Sequence, residues 1–182
     1  MTTSTTGIPG YLAGTWTIDP VHSNVSFVVR HLGVTRVRGR FTELGGEITT
    51  GENILGSSVT ATMQAASIDT TNQQRDEHVR STDFLDVENH PTLSFRSTGI
   101  RADGDDYLID GELTLRGVTR PVTLTAELGG FGDGLTEGGK VLGVSARTEI
   151  KRSDFGVGGN IPTAVVSDKV VIELDIEAMN QG

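Results

Sequence analysis

Val122-Thr123-Leu124-Thr125-Ala126-Glu127-Leu128 is the stretch on which the fold of this chain turns. Apolar and polar side chains strictly alternate along it. Successive side chains of an extended strand point to opposite faces, so this segment has one dry face and one wet face. A strand buried on both faces, as in a parallel sheet, would be apolar throughout. The pattern recurs on either side. Val59, Ala61, Met63 and Ala65 alternate with Ser58, Thr60, Thr62 and Gln64. Tyr107, Ile109, Leu113 and Leu115 share a face with Gly111, while Asp110, Glu112, Thr114 and Arg116 point the other way. Val170, Ile172, Leu174 and Ile176 oppose Glu173, Asp175 and Glu177.

Fainter strands fill the rest: Trp16–Ile18, Asn24–His31, Val34–Thr49, Thr92–Ser97 and Val141–Ile150. In Val34–Thr49, Val37 and Phe41 lie opposite Arg36, Arg38 and Arg40. About eight or nine strands at this spacing predict an all-β sandwich or barrel. Ala102-Asp103-Gly104-Asp105-Asp106 is a hairpin turn, and Arg116–Pro121 is another, with Pro121 at the first position of the next strand. Gly129–Gly139 and Gly156–Pro162 lack periodicity and read as loops, the first as a mobile one. One short polar helix is expected over about residues 72–80, capped by Asn72, with Asp76 and Arg80 spaced to pair on its surface.

The 182 residues suit one domain, and no linker or repeat divides them. Residues 1–13 read as a flexible lead, and 14–180 as a single domain. The lead has no basic or strongly apolar stretch, so it is not a secretory signal, and a cytoplasmic location is the expectation. No run approaches the ~20 apolar residues of a membrane span. Cysteine is absent, which excludes disulfides, thiolate metal sites and cysteine nucleophiles. A net charge of -9 argues against a nucleic-acid partner, and against tight electrostatic docking on anionic lipid.

Few motifs suggest chemistry. Gly134–Lys140 imitates the start of a phosphate loop, but Val141 stands where the magnesium ligand belongs and a strand follows instead of a helix. No Gly-x-Ser-x-Gly elbow exists. Asp19, His22 and Ser23 could be imagined as a triad, but adjacent strand residues point apart. His78, with Arg75 and Asp76, forms the densest ionisable cluster. A metal there would need further ligands such as His22 or His90. Its plainer reading is a polar tie between helix and sheet, or a headgroup contact. The Arg36/Arg38/Arg40 stripe could attract an acidic partner or lipid headgroups, but the favoured reading is a solvated face that protects a sheet edge.

An ordered series of motifs carries a resemblance. Trp16-Thr17-Ile18-Asp19-Pro20-Val21-His22-Ser23 leads to Val25-Ser26-Phe27, His31 and Gly39-Arg40-Phe41. Ser67-Ile68-Asp69-Thr70 precedes Arg75–Asp86, and His90-Pro91-Thr92-Leu93-Ser94-Phe95 precedes Gly111–Val122. Arg152-Ser153-Asp154-Phe155-Gly156 and the strand Asp168–Glu177 close it. Together these resemble the YceI-like, polyisoprenoid-binding family over nearly all of Thr15–Ala178. The resemblance implies a lipocalin-like antiparallel barrel holding a long isoprenoid or similar lipid in its lumen.

An eight-stranded barrel can enclose one small ligand. The inward sets then become candidate lumen residues: Phe27, Val29, Phe41, Val59, Ala61, Met63, Ile109, Leu113, Leu115, Val122, Leu124, Leu142, Val144, Ile172 and Leu174. His22, Arg75, Asp76, His78 and Arg152 are candidates for a polar rim or headgroup contact. Small residues, Ala61 and Ala126, would leave room for a tail. The expected function is non-catalytic binding, transport or storage of a polyprenyl or quinone lipid, with no cofactor beyond that lipid. An enzyme or isomerase acting on a lipophilic substrate, or a stress-related barrel without a ligand, are the competing readings. Exposed edge surface could support a homodimer.

Overall fold

A computed structural model describes residues 7–180. Eleven strands form one antiparallel sheet: β1 Gly14–Ile18, β2 Asn24–His31, β3 Thr35–Phe41, β4 Leu44–Thr50, β5 Ser58–Gln64, β6 Ile68–Asp69, β7 Thr92–Asp103, β8 Asp106–Leu115, β9 Val118–Asp133, β10 Lys140–Lys151 and β11 Lys169–Asn180. The helix α1, Gln73–Arg80, lies between β6 and β7. Three positions around the sheet are split in two. β1 runs on into β2, β3 into β4 and β5 into β6, so the strands make an eight-stranded barrel in simple up-and-down order. β11 closes the ring. One edge pairs with β10, and the other pairs with β2 through Val171–Asp175 and with β1 through Ala178 and Met179. Closure removes the free edges that would otherwise template aggregation.

The breaks have local causes. Between β1 and β2, Asp19–Ser23 leaves the strand. Ser23 Oγ accepts from Glu177 N–H at 3.0 Å and donates to Glu177 C=O at 3.1 Å, standing in for the lost ladder bonds. The stretch Val34–Thr49, expected as one strand, is interrupted at Thr42-Glu43, where the Ser67 backbone and hydroxyl take over the pairing. β9 runs on through Gly129–Asp133, so the first five residues of the glycine-rich stretch expected to be a mobile loop are strand, paired with Lys140–Gly143. Ladder bonds to β10 outweigh the weak propensity of glycine. Pro121 sits inside β9, not at its start. Its missing N–H costs little there, because pairing with β10 reaches only Thr125.

Because every turn reverses the chain, connections fall alternately at two ends. The helix end carries the β2–β3 turn, residues 65–91 with α1, the β8–β9 turn and residues 152–168. The far end carries the start of β1, the β4–β5, β7–β8 and β9–β10 turns, and the close of β11. The expected Asp76–Arg80 pair does not form. Asp76 is buried, accepting from Thr70 N–H at 2.8 Å and from its hydroxyl at 2.5 Å, while Arg80 donates to the carbonyls of Ala66 and Ile68. The expected flexible lead is packed where it is described. Tyr11 donates to Gly51 C=O and its ring meets Phe131 at 5.0 Å, whereas residues 1–6 lie outside the described residues.

Candidate functional site

The inward faces of the staves do not fill the barrel. They surround a cavity of about 560 Å³, lined almost wholly by aliphatic and aromatic side chains. This lies within the roughly 300–1,000 Å³ of small-molecule pockets. Each of the residues expected in the lumen, from Phe27 to Leu174, is part of its wall. The cross-strand register explains why. Val29 lies opposite Val37, Phe27 opposite Gly39, Ile109 opposite Leu124 and Ala61 opposite Phe95, so each pair shares the inner face. At two glycines of that face, an aromatic ring occupies the space. A β-carbon on Gly39 would collide with the ring of Phe27, and one on Gly111 with that of Phe95. Ala61 and Ala126 are wall residues too.

The far end is sealed. Trp16, fully buried, packs with Leu142 and Ala178, and Phe131 lies against it at 5.5 Å. Trp16 Nε1 donates to Thr50 Oγ1 at 2.9 Å, which satisfies its one polar atom without opening the seal. At the helix end the wall reaches exposed residues: Arg30, His31, Arg75, His78 and Val165. This is the mouth.

The expected polar rim divides. Arg75 and His78 do border the cavity. Arg75 spends Nε and one Nη2 donor on Thr70, at 2.8 Å each, leaving further guanidinium N–H groups to offer. His78 Nε2 meets Asp83 Oδ2 at 2.9 Å and its ring stands edge-on to Phe84. Arg152 also touches the wall but has nothing left for a headgroup. Its five N–H groups go to the carbonyls of Ser167, Val157, Gly158, Ile161 and Val166. It is buried and pins the β10–β11 connection. Asp76 faces away from the cavity, held by Thr70.

His22 is not at the rim. It sits outside the barrel at the β1–β2 break, with Nδ1 at 2.7 Å from Asp19 Oδ2 and 3.5 Å from Glu177 Oε2. Segment 19–23 is a turn and not a strand, which is why Asp19 and His22 meet despite the expectation that they point apart. The hydrogen bond to His22 holds the Asp19 carboxyl below its usual range, and Asp19 raises the imidazole in return. No triad results, since the Ser23 hydroxyl is bound to Glu177. Asp19, His22 and Glu177 are the one group of three potential metal ligands among the described residues. At 2.7 Å the His22–Asp19 contact is already a satisfied hydrogen bond. His78 and His90 pair with Asp83 and Asp86, and neither joins His22 in a group of potential ligands among the described residues.

Part of the wall escaped the periodicity. Val79 lies in α1 and Phe84 follows it, and Val157, Ile161, Val165 and Val166 come from the connection before β11. The available signal was a run of aliphatic residues inside a glycine- and proline-rich loop, which solvent alone would not retain.

Comparison with known proteins agrees with the geometry. The model of the YceI-like domain matches residues 16–178. A protein named YceI from Escherichia coli O17:K52:H18 is 40% identical over 161 residues, covering 88% of this chain and 83% of the relative. A UPF0312 protein of Pseudomonas aeruginosa is 39% identical with the same coverage. Among solved structures, Burkholderia cenocepacia BcnA superposes with a TM-score of 0.78 at 25% identity, covering 88% of this chain and 98% of that one. A polyisoprenoid binding domain from Saccharophagus degradans shares the fold, with a TM-score of 0.67 at 18% identity over 92% of this chain and 98% of its own.

Proposed function

The chain belongs to the YceI-like family, and from that premise we propose that it is a non-catalytic carrier or store for an isoprenoid-type lipid, a polyprenyl or quinone tail held inside the barrel. The observation that carries this reading is the cavity of about 560 Å³, sealed at the far end and open beside Arg75 and His78. An apolar tail gains ~0.8 kcal/mol for each methylene-sized group it buries, so a five-carbon prenyl unit contributes roughly 4 kcal/mol before ordering costs. An aliphatic wall supplies that energy without dictating chain chemistry. The mouth supplies orientation: a headgroup rests against the spare N–H donors of Arg75 and against His78, while the tail lies toward Trp16. The YceI relatives and the Saccharophagus degradans domain, which shares the fold, support the assignment.

The test is extraction of the purified protein with organic solvent, followed by mass spectrometry and by uptake of a polyprenyl alcohol and a long-chain quinone by the emptied barrel. Retention or stoichiometric uptake of either is expected. A barrel that neither retains nor accepts any prenyl or acyl lipid overturns the reading.

A further inference from the structure

A buried lipid must be taken from somewhere, and the mouth has one unusual border. The β2–β3 hairpin projects there with Leu32 and Val34 at its tip, 57% and 76% exposed, beside the exposed Val165, whose carbonyl accepts from Leu32 N–H. Leu32 has φ +55 and Gly33 φ +71, and Val34 N–H bonds His31 C=O. In such a turn the first position favours Asn or Asp, and a leucine there costs roughly 1–2 kcal/mol. The other non-glycine residues at positive φ, Thr71, Asp86 and Arg116, all use their side chains in hydrogen bonds. Leu32 instead spends backbone strain to hold an apolar side chain out in solvent. Strain without a visible return points to function.

The charges around this tip are equally one-sided. No carboxylate occurs between Asp19 and Glu43, while Arg30, Arg36, Arg38 and Arg40 all lie on the exposed outer face. Arg36 stands directly opposite Arg30 in register, an arrangement that weakens a sheet unless an anion neutralises it. Of the four, only Arg40 takes part in an ion pair among the described residues, at 3.8 Å from Asp69. The far end is the reverse. Asp103, Asp105, Asp106 and Glu137 cluster in its turns, and its cations Arg101 and Lys140 are paired with Asp110 and Asp133. Strands of twelve residues extend roughly 40 Å, against a screening length of about 8 Å in physiological salt. The helix end carries carboxylates too, but Asp69, Asp83 and Asp86 are engaged by Arg40, His78 and His90 and Asp168 by Ser153, while residues 20–42 of the hairpin and its approach contain none, so the basic charge is local to the hairpin.

We propose that the β2–β3 hairpin docks the mouth on an anionic lipid bilayer, Leu32 and Val34 entering the interface while Arg30, Arg36 and Arg38 meet lipid phosphates. The geometry rests on the lipid-carrier reading for its purpose but not for its test. Binding of the full chain to vesicles of phosphatidylcholine alone, and with phosphatidylglycerol added, is measured by flotation. Uptake of a polyprenyl alcohol from detergent solution is measured in parallel. Binding confined to the anionic vesicles and reversed by salt is expected. Arg36→Gln with Arg38→Gln should lower the partition roughly thirtyfold, at ~1 kcal/mol per removed charge. Leu32→Asn suits the turn better than leucine, so it should preserve or raise the melting temperature and still lower partitioning. Uptake from detergent should not change in either variant, because Leu32, Arg36 and Arg38 do not line the cavity. Docking is overturned if the chain floats with neither vesicle, as it would were the basic face made for an acidic protein. It is equally overturned if the variants bind as well as the parent. Failure of uptake alone would overturn the carrier reading and leave docking standing.

Discussion

Arg152 shows how one residue can be misassigned by its type. An arginine near a lipid cavity suggests a headgroup ligand, yet all five of its side-chain hydrogen bonds go to backbone carbonyls. Its guanidinium replaces a secondary structure that residues 157–167 lack. Arg152→Met should cost at least about 3 kcal/mol in urea denaturation, since several buried carbonyls lose their donors at once. Arg152→Lys should recover only part of this, because an ammonium cannot reach five acceptors around a plane. His22 gives a second expectation at this scale. Its pKa is raised above the ordinary 6.5, so its part of the Asp19–His22 bond is complete below that value and fades as pH climbs through the higher folded one. Asp19 is lowered from 3.8, so its part is present above that value and fades as pH falls through the lower folded one. NMR titration should show a His22 midpoint above 6.5 that returns toward it in Asp19→Asn. An unchanged midpoint would mean that Asp19 does not hold the imidazole.

Among elements, the split strands matter most. β1/β2 and β3/β4 bend where Asp19–Ser23 and Thr42-Glu43 leave the ladder, which lets one pair of staves serve both the sealed end and the mouth. Alternation showed which side chains share a face but not where a strand breaks, because Ser23 and Ser67 supply the replacement bonds from their hydroxyls. Gly39 on β3 is a further device of this kind. Phe27 of β2 lies over it, so the ring folds along the wall instead of crossing the lumen. Gly39→Ala should displace that ring and cost about 1–3 kcal/mol. Adding Phe27→Leu should restore most of the loss, and full additivity of the two changes in denaturation would contradict the contact.

For the whole molecule, the cavity separates a carrier from a barrel with a filled core. Ala61 opposes Phe95 on the wall, and Ala61→Phe would place a second ring in empty space. We expect the melting temperature to hold or rise while uptake shifts toward shorter prenyl chains. Equal uptake of all chain lengths would mean that the tail does not pass Ala61. The two ends divide the labour: Trp16 and Thr50 close one, and the other keeps Arg75 and His78 at the opening.

The amino-acid sequence by itself determined the antiparallel barrel and its apolar inner face. Closure into a barrel instead of a sandwich was implied by the ordered motifs that resemble the YceI-like family, whereas the apolar inner face follows from the two-residue period of a strand, a local property that survives without knowledge of neighbours. Val122–Leu128 already contains it, and every lumen residue named from such stretches lies on the wall. Only the tertiary structure decided which polar residues face the mouth. Arg75 and Arg152 are both arginines near the cavity, yet one keeps free donors and the other none, according to carbonyls that arrive from distant segments. It alone also placed Val165 beside Leu32 and set Arg36 across from Arg30. Long-range pairing fixes such neighbours, and the alternation of one strand carries no record of the strand that will lie beside it.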